Sequence, residues 1–184
     1  MPSLLLWSEK LKERGNVLWK FVRIGQELLK LGNYNTLMGI VAGLNMSAVL
    51  RLKFTLMVLS DDQTQQMEEL VALMSPFKAY KVYREHMAEA SLPIIPYLGV
   101  YLTDLTFIEE GNPDNSKGFI FFAKRLRVSR VLEQIEHYQS SPYNLVPCEP
   151  VFSYLQELPG LDDDALYQLS LIREPRESVI TDIL

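Results

Sequence analysis

The sequence is poor in the residues that build disulfides and metal sites: its 184 residues include one cysteine, Cys148, and two histidines, His86 and His137. A lone cysteine excludes an internal disulfide, so the fold must rest on its apolar core, which suits a reducing cytosol. With so few nitrogen and sulfur ligands, a structural zinc site is not expected. We predict no metal and no cofactor.

An excess of positive charge is also missing. The chain carries 18 Lys and Arg against 23 Asp and Glu, for a net charge of −5, which argues against nucleic acid as the main partner. No apolar run reaches the length of a transmembrane segment, and the opening residues 1–7 are too few for a signal peptide before charges follow. We therefore predict a cytoplasmic protein, whose 48% apolar residues are typical of a folded chain.

The sequence motifs of covalent catalysis are absent as well. The glycines form neither GxxxxGK(S/T) nor GxGxxG, there is no GxSxG, and Cys148 has no obvious histidine partner. Glu109 and Glu110 are adjacent, and adjacent residues on a helix diverge by about 100°, so the two carboxylates cannot flank one bond as a hydrolase pair does. The residues alone indicate a helical binding module.

Apolar residues recur at the helical period along most of the chain, and no alternating strand pattern of useful length is present. One helix is predicted from Val17 to Leu31 and ends at Gly32. Residues Thr36 to Leu44 are apolar all round, which predicts a helix at the centre of the protein. Asp61 and Asp62 indicate the start of another helix. The predicted fold class is all-α.

Two long helices are predicted in the second half of the chain, from Tyr97 to Glu110 and from Ile120 to Gln139, with a turn at residues 111–113 between them. A helix from Ala79 to Ala90 precedes them and is broken by Pro93. The second long helix opens with a basic cluster, which predicts a solvated face, with an acidic surface of a partner or an anionic membrane as the alternative contacts. Its members are Lys124, Arg125, Arg127 and Arg130.

Three stretches of the sequence, in order and with the expected spacing, resemble the catalytic domain of Ras-type guanine-nucleotide exchange factors. They are Leu31–Asn45 followed by Arg51–Lys53, Pro96–Pro113 (PYLGVYLTDLTFIEEGNP) and Leu166–Arg176 (LYQLSLIREPR). The resemblance implies a single exchange domain over residues 1–184. It also implies an irregular all-α fold with a protruding helical hairpin at about residues 97–139.

The resemblance implies a function without covalent chemistry. Such domains bind a Ras-family small GTPase, here of the Ras, Rap or Ral type, and push the hairpin between its two switch regions. GDP then leaves faster, because the exchange factor binds the nucleotide-free GTPase better than the loaded form. Through its partner, the protein is expected to work near the inner face of membranes.

The resemblance also assigns roles to individual residues. Glu110 matches a glutamate that reaches the emptied phosphate-binding loop, where a carboxylate can compete with phosphate for hydrogen-bond donors. Thr106 falls where some members carry a leucine that crowds the magnesium site, a task that Phe107 could share. The residues expected to contact the GTPase are Asn45, Tyr80, Tyr97, Asp104 and Phe107.

Several of these assignments have a plain structural alternative: two solvated acids at a helix end for Glu109 and Glu110, a helix cap for Asn45, and half-buried packing for the tyrosines. Two departures from the family pattern bear on the function. Phe121 replaces a usual asparagine, and the family's domains ordinarily begin well before Phe21. The alternatives to an active exchange factor are a weak or inactive module that binds a GTPase as a scaffold, and a helical domain of unrelated function.

Overall fold

A computed structural model describes residues 1–183 of the chain. Over that range the protein is built from eleven α-helices, one short 3-10 helix and two strands of two residues each, so the all-α prediction is confirmed. None of the helices in this part of the chain is long and apolar enough to cross a membrane. The helices are α1 (Pro2–Trp7), α2 (Leu11–Lys30), α3 (Tyr34–Leu44), α4 (Ser47–Leu50), α5 (Lys53–Met57), α6 (Asp61–Leu73), α7 (Phe77–Glu89), α8 (Leu98–Gly111), α9 (Phe122–Gln139), α10 (Glu149–Glu157) and α11 (Asp163–Arg173).

The described residues divide into two compact units. The first unit comprises residues 1–27, residues 39–74 and the chain from residue 144 onward, and the second comprises residues 28–38 and 75–143. The single domain expected over residues 1–184 stays a prediction, and Leu184 lies outside the described residues.

The core of the first unit is apolar and helical. Residues spaced for one helix face, Leu11, Leu18 and Val22, are buried along α2. The helix begins six residues before the predicted start, because the buried stripe continues back through Leu11. The central cluster joins Leu18 of α2 to α1, α4 and α11, through Leu5, Leu6, Ala48, Val49 and Leu166.

A buried ion cluster, the Arg14 cluster, also lies in the first unit. Arg14 donates from Nε to Thr55 Oγ1 over 3.0 Å, and the Thr55 hydroxyl donates in turn to Glu174 over 2.7 Å. The Glu174 carboxylate also accepts the main-chain N–H groups of Phe54 and Thr55. Arg51 donates to the main-chain carbonyl of Glu174 over 2.8 Å.

Helix α7 of the second unit opens with an unusual turn. Lys78, Ala79 and Tyr80 all have positive φ angles, of 51°, 56° and 60°. A left-handed conformation costs a residue with a side chain about 1–2 kcal/mol, because Cβ approaches the following carbonyl oxygen. The regular right-handed helix therefore starts after Tyr80, and this turn sets the direction in which the Tyr80 side chain leaves the chain.

Helices α8 and α9 pack against each other as a hairpin within the second unit. Their connection forms strands β1 (Asn115–Ser116) and β2 (Phe119–Ile120), which pair antiparallel around Lys117 and Gly118. Both turn residues have positive φ, 51° and 80°, as a two-residue hairpin turn of type I′ requires. Ile120 thus belongs to a strand, and α9 begins at Phe122, two residues after the predicted start.

Candidate functional site

Helix α8 presents two different faces. Val100 and Tyr101 are buried, whereas Leu102, Thr106 and Glu110 are exposed. Residues four apart lie about 40° from each other around a helix axis, so these three exposed residues share one stripe. We call it the α8 stripe.

Glu110 stands at the C-terminal end of the α8 stripe. The residue is exposed and has no hydrogen-bond or ion-pair partner within residues 1–183. One helical turn earlier, the Thr106 hydroxyl donates to the carbonyl of Leu102 over 3.0 Å. That bond occupies the hydroxyl hydrogen of Thr106, and the residue is exposed. Phe107, next to Thr106, is 68% exposed.

Glu109 is exposed like its neighbour Glu110, but unlike Glu110 it has an ion-pair partner. Its carboxylate accepts from Lys124 Nζ of α9 over 2.8 Å, and its main-chain carbonyl accepts from the same ammonium over 3.1 Å. Lys124 also donates to Asp114 Oδ1 over 3.0 Å. Lys124, Glu109 and Asp114 form what we call the Lys124 clamp, which joins the end of α8, the connecting loop and the first turn of α9.

Further side chains fasten the loop of the hairpin. The Asn112 amide donates to the carbonyl of Ile108 over 2.9 Å, and Arg127 donates to the Asn112 side-chain oxygen over 2.7 Å. The main-chain N–H of Phe121 donates to the carbonyl of Asp114 over 2.8 Å. The end of α8 is therefore held from two sides, by Asn112 of the loop and by Lys124 of α9.

Asp104, expected to contact a GTPase, is held inside the second unit. Arg84 of α7 donates to both oxygens of Asp104, each over 2.8 Å, and also to the carbonyl of Ala79. The hydrogen bonds that Arg84 donates to Asp104 raise the pKa of Arg84. Since Asp104 and Thr106 are two residues apart, they lie about 160° from each other around α8. Asp104 is therefore not on the α8 stripe.

The two tyrosines predicted as contacts, Tyr80 and Tyr97, lie together at the start of α8. Their ring centroids are 5.8 Å apart, and both residues are half-buried. The main-chain N–H of Tyr97 donates to the hydroxyl of buried Tyr83 over 2.9 Å, and burial raises the pKa of Tyr83 to about 12. Tyr83 thus stays a neutral hydroxyl at physiological pH and can fix Tyr97, the residue that precedes α8.

Asn45 belongs to the first unit and is considered by itself. It follows the last residue of α3, its side chain is exposed, and its main-chain N–H donates to the carbonyl of Val41 over 3.0 Å. The exposed amide is available to a partner. Within residues 1–183, no group of three or more His, Cys, Asp or Glu side chains is arranged to hold a metal ion.

The expectation of a solvated basic face on α9 is wrong for one member. Lys124 is 1% exposed, because the loop folds Asp114 and the end of α8 over its ammonium.

Phe121, which departs from the family pattern, also has a defined place. Phe121 is half-buried, whereas its neighbours Ile120 and Phe122 are strongly exposed. A sequence gives no direct sign of either arrangement.

Comparisons with known proteins agree on one family. A family model described as the RasGEF domain matches residues 2–126. Over 183 residues, the chain is 43% identical to "Ras guanine nucleotide exchange factor I" of Dictyostelium discoideum, covering 99% of this chain and 22% of that protein. It is 41% identical over 183 residues to factor K of the same organism, covering 98% of this chain and 12% of that protein.

A third relative, factor R, is 42% identical over 179 residues, which is 97% of this chain and 10% of that protein. The chain therefore spans about a fifth or less of the length of these relatives. The likeness concerns this stretch and not the remainder of the longer proteins.

Proposed function

The chain belongs to the RasGEF family, and on that premise we propose that it accelerates GDP release from a Ras-family small GTPase. In this proposal the hairpin of α8 and α9 enters between the two switch regions of the GTPase, as the family resemblance implies. The partner is of the Ras, Rap or Ral type, and such a partner would bring the protein to the inner face of a membrane.

One observation carries the proposal: Glu110 is an exposed carboxylate without a partner among residues 1–183, at the end of a helix that is held from two sides. A carboxylate at a helix C-terminus is electrostatically unfavourable, so a plain stability role does not account for it. A phosphate-binding loop that has lost its nucleotide offers N–H groups and a cation, which a carboxylate can bind in place of phosphate.

The remainder of the α8 stripe fits the same role. Helix α8 contains no basic residue, so it would not compete with the GTPase for the phosphates of the nucleotide. Thr106 lies one turn before Glu110 and would face the magnesium site, with exposed Phe107 beside it. Tyr80 and Tyr97 offer an aromatic surface at the start of α8, and Asn45 offers an amide. We propose these residues as GTPase contacts.

The test measures release of a fluorescent GDP analogue from Ras, Rap and Ral proteins. Wild-type protein should accelerate release from at least one of them. Glu110→Ala should lower the catalysed rate by about 10- to 100-fold, because a hydrogen bond to a charged group contributes about 1.5–3 kcal/mol. The matched control is Glu136→Ala, which removes an exposed glutamate from α9 of the same hairpin. It should leave the rate within about twofold.

Two outcomes would contradict the proposal. If wild-type protein accelerates release from no GTPase of the panel at high concentration, exchange activity is excluded. Binding to nucleotide-free GTPase in the same samples would then support the scaffold alternative. If Glu110→Ala unfolds the protein, as read by circular dichroism, Glu110 is needed for the fold, which its exposed position does not predict.

A further inference from the structure

Lys124 is the most deeply buried cation of the second unit for which the exchange mechanism supplies no role. Lys124 is 1% exposed, and its ammonium lies within hydrogen-bond distance of three oxygen atoms. They are Glu109 Oε1, Glu109 O and Asp114 Oδ1, at 2.8, 3.1 and 3.0 Å. A lysine ammonium has three N–H donors and no acceptor, so every donor has a partner. Hydrogen bonding to Glu109 raises the pKa of Lys124, and the group remains charged at physiological pH.

The position of these oxygens has a consequence for the end of α8. The last four carbonyls of an α-helix have no partner within the helix. In α8 two of them, those of Ile108 and Glu109, accept from the side chains of Asn112 and Lys124. Glu110 follows Glu109, and Gly111 separates it from the loop. Lys124 thus fixes the main chain on the N-terminal side of Glu110, and the Asn112 bond ties the loop on its C-terminal side back to Ile108.

Lys124 also separates two carboxylates that are neighbours in sequence. By holding Glu109 against α9, it fixes the rotation of the last turn of α8. Since adjacent residues diverge by about 100°, Glu110 then points away from the clamp. The charge of Lys124 offsets that of Glu109, so one uncompensated carboxylate remains at the tip of the stripe.

We propose that Lys124 is a positioning residue for nucleotide exchange, which acts by fixing the last turn of α8 so that Glu110 faces the GTPase. The inference rests on the proposed exchange function. It assigns Lys124 no contact with the GTPase. Its effect on the reaction passes through Glu110.

The kinetic test is a double-mutant cycle of Lys124→Met and Glu110→Ala on GDP release. Lys124→Met alone should lower the maximal exchange rate about tenfold with the GTPase concentration for half-maximal rate changed less than about threefold, since the loss is one of positioning. In the Glu110→Ala background it should lower the rate by less than about twofold, because residues that act together are not additive. Lys81→Met, the same change at an exposed lysine of α7, should leave the rate within about twofold.

Equal losses from Lys124→Met with and without Glu110 would overturn the inference, since a residue needed only for stability lowers both rates alike. A second readout does not depend on exchange activity. Amide hydrogen exchange of residues 106–112 should accelerate about tenfold or more in Lys124→Met. Arg125→Met removes an exposed cation from the same Asp114 and should change it less than about threefold.

The two readouts separate the possible failures. Wild-type protein without exchange activity would remove the proposed function, while the amide measurement would still decide whether Lys124 fixes the last turn of α8. Unchanged amide exchange in Lys124→Met would overturn the positioning role even in an active protein.

Discussion

The Arg14 cluster and the Lys124 clamp both place a cation out of solvent, and they differ in what surrounds it. The Arg14 and Glu174 side chains are both almost fully buried, so this cluster is closed on every side. In the clamp only the lysine is buried, and the carboxylates of Glu109 and Asp114 are 58% and 54% exposed. A closed cluster can serve only the fold, whereas an open one places charged groups at a surface.

The two clusters also differ in the hydrogen-bond partners of their cations. In the Arg14 cluster, Arg14 donates to the Thr55 hydroxyl, and the main-chain N–H of Thr55 in α5 donates to Glu174. One Nη atom of Arg14 has no hydrogen-bond partner among the described residues. Every N–H donor of the Lys124 ammonium has a partner, and one of these partners is the main-chain carbonyl of Glu109 at the end of α8. We therefore expect a change in the first cluster to affect folding, and a change in the second to affect the hairpin.

The largest effect is expected from opening the closed cluster. Glu174→Ala would leave Arg14 buried without its carboxylate and remove the acceptor of the Phe54 and Thr55 N–H groups. Loss of one partner of a buried pair costs about 3–5 kcal/mol, which urea denaturation would measure. Glu177→Ala, an exposed control three residues away, should cost less than about 0.5 kcal/mol. Equal stabilities of the two variants would show that the cluster is not a determinant of the fold.

An intermediate effect is expected for the pair of Arg84 and Asp104, whose side chains are about one-third exposed. Arg84→Met removes a two-point contact between α7 and α8, and solvent screening limits the expected loss of stability to about 1 kcal/mol. Lys81→Met on the same helix is the control. If Asp104→Asn weakens binding of the nucleotide-free GTPase without affecting thermal stability, then Asp104 is a contact as predicted from the sequence, and its pairing with Arg84 is secondary.

The smallest effect is a change in titration at the open cluster. The hydrogen bond and charge of Lys124 hold the pKa of Asp114 below its ordinary value of 3.8. A carboxyl group with a lowered pKa stabilises the folded state above the unfolded pKa, and this contribution is lost as the pH falls through the folded pKa. Carbon NMR of the Asp114 carboxyl should therefore show a midpoint below 3.8, and Lys124→Met should raise it. A midpoint that is the same in Lys124→Met and Lys81→Met would contradict the clamp.

Much of the helical framework could be predicted from the sequence, because apolar periodicity reports burial directly. The stripe of α2 and the start of α6 after Ser60 were visible in the pattern, whereas α3, expected at the centre of the protein, has an exposed face at Thr36, Gly39 and Ala42. Boundaries were less accurate where pairing outside the helix decides them. Because Phe119 and Ile120 pair with Ser116 and Asn115, α9 begins only at Phe122, and helix propensity alone does not predict that pairing.

The candidate site was predictable in part for a related reason. Glu110 and Thr106 are exposed residues of a periodic helix, so a motif places them well. Lys124 was not predictable as a buried residue, because a lysine within a basic run normally lies in water. Its burial depends on a loop that brings Asp114 over it. Asp104 likewise depends on Arg84, twenty residues earlier, and such pairings arise only in the folded chain.

The neighbouring positions of Glu109 and Glu110 restrict how this protein can change length over evolution. One residue deleted within α8 would rotate everything after it by about 100° and put Glu110, the wrong glutamate, against Lys124. An insertion beside Gly118, at the tip of the connecting loop, would leave that rotation untouched. Among functional descendants of this chain, length variation should therefore collect at the tip of the hairpin, while the interval from Tyr97 to Glu110 keeps its number of residues.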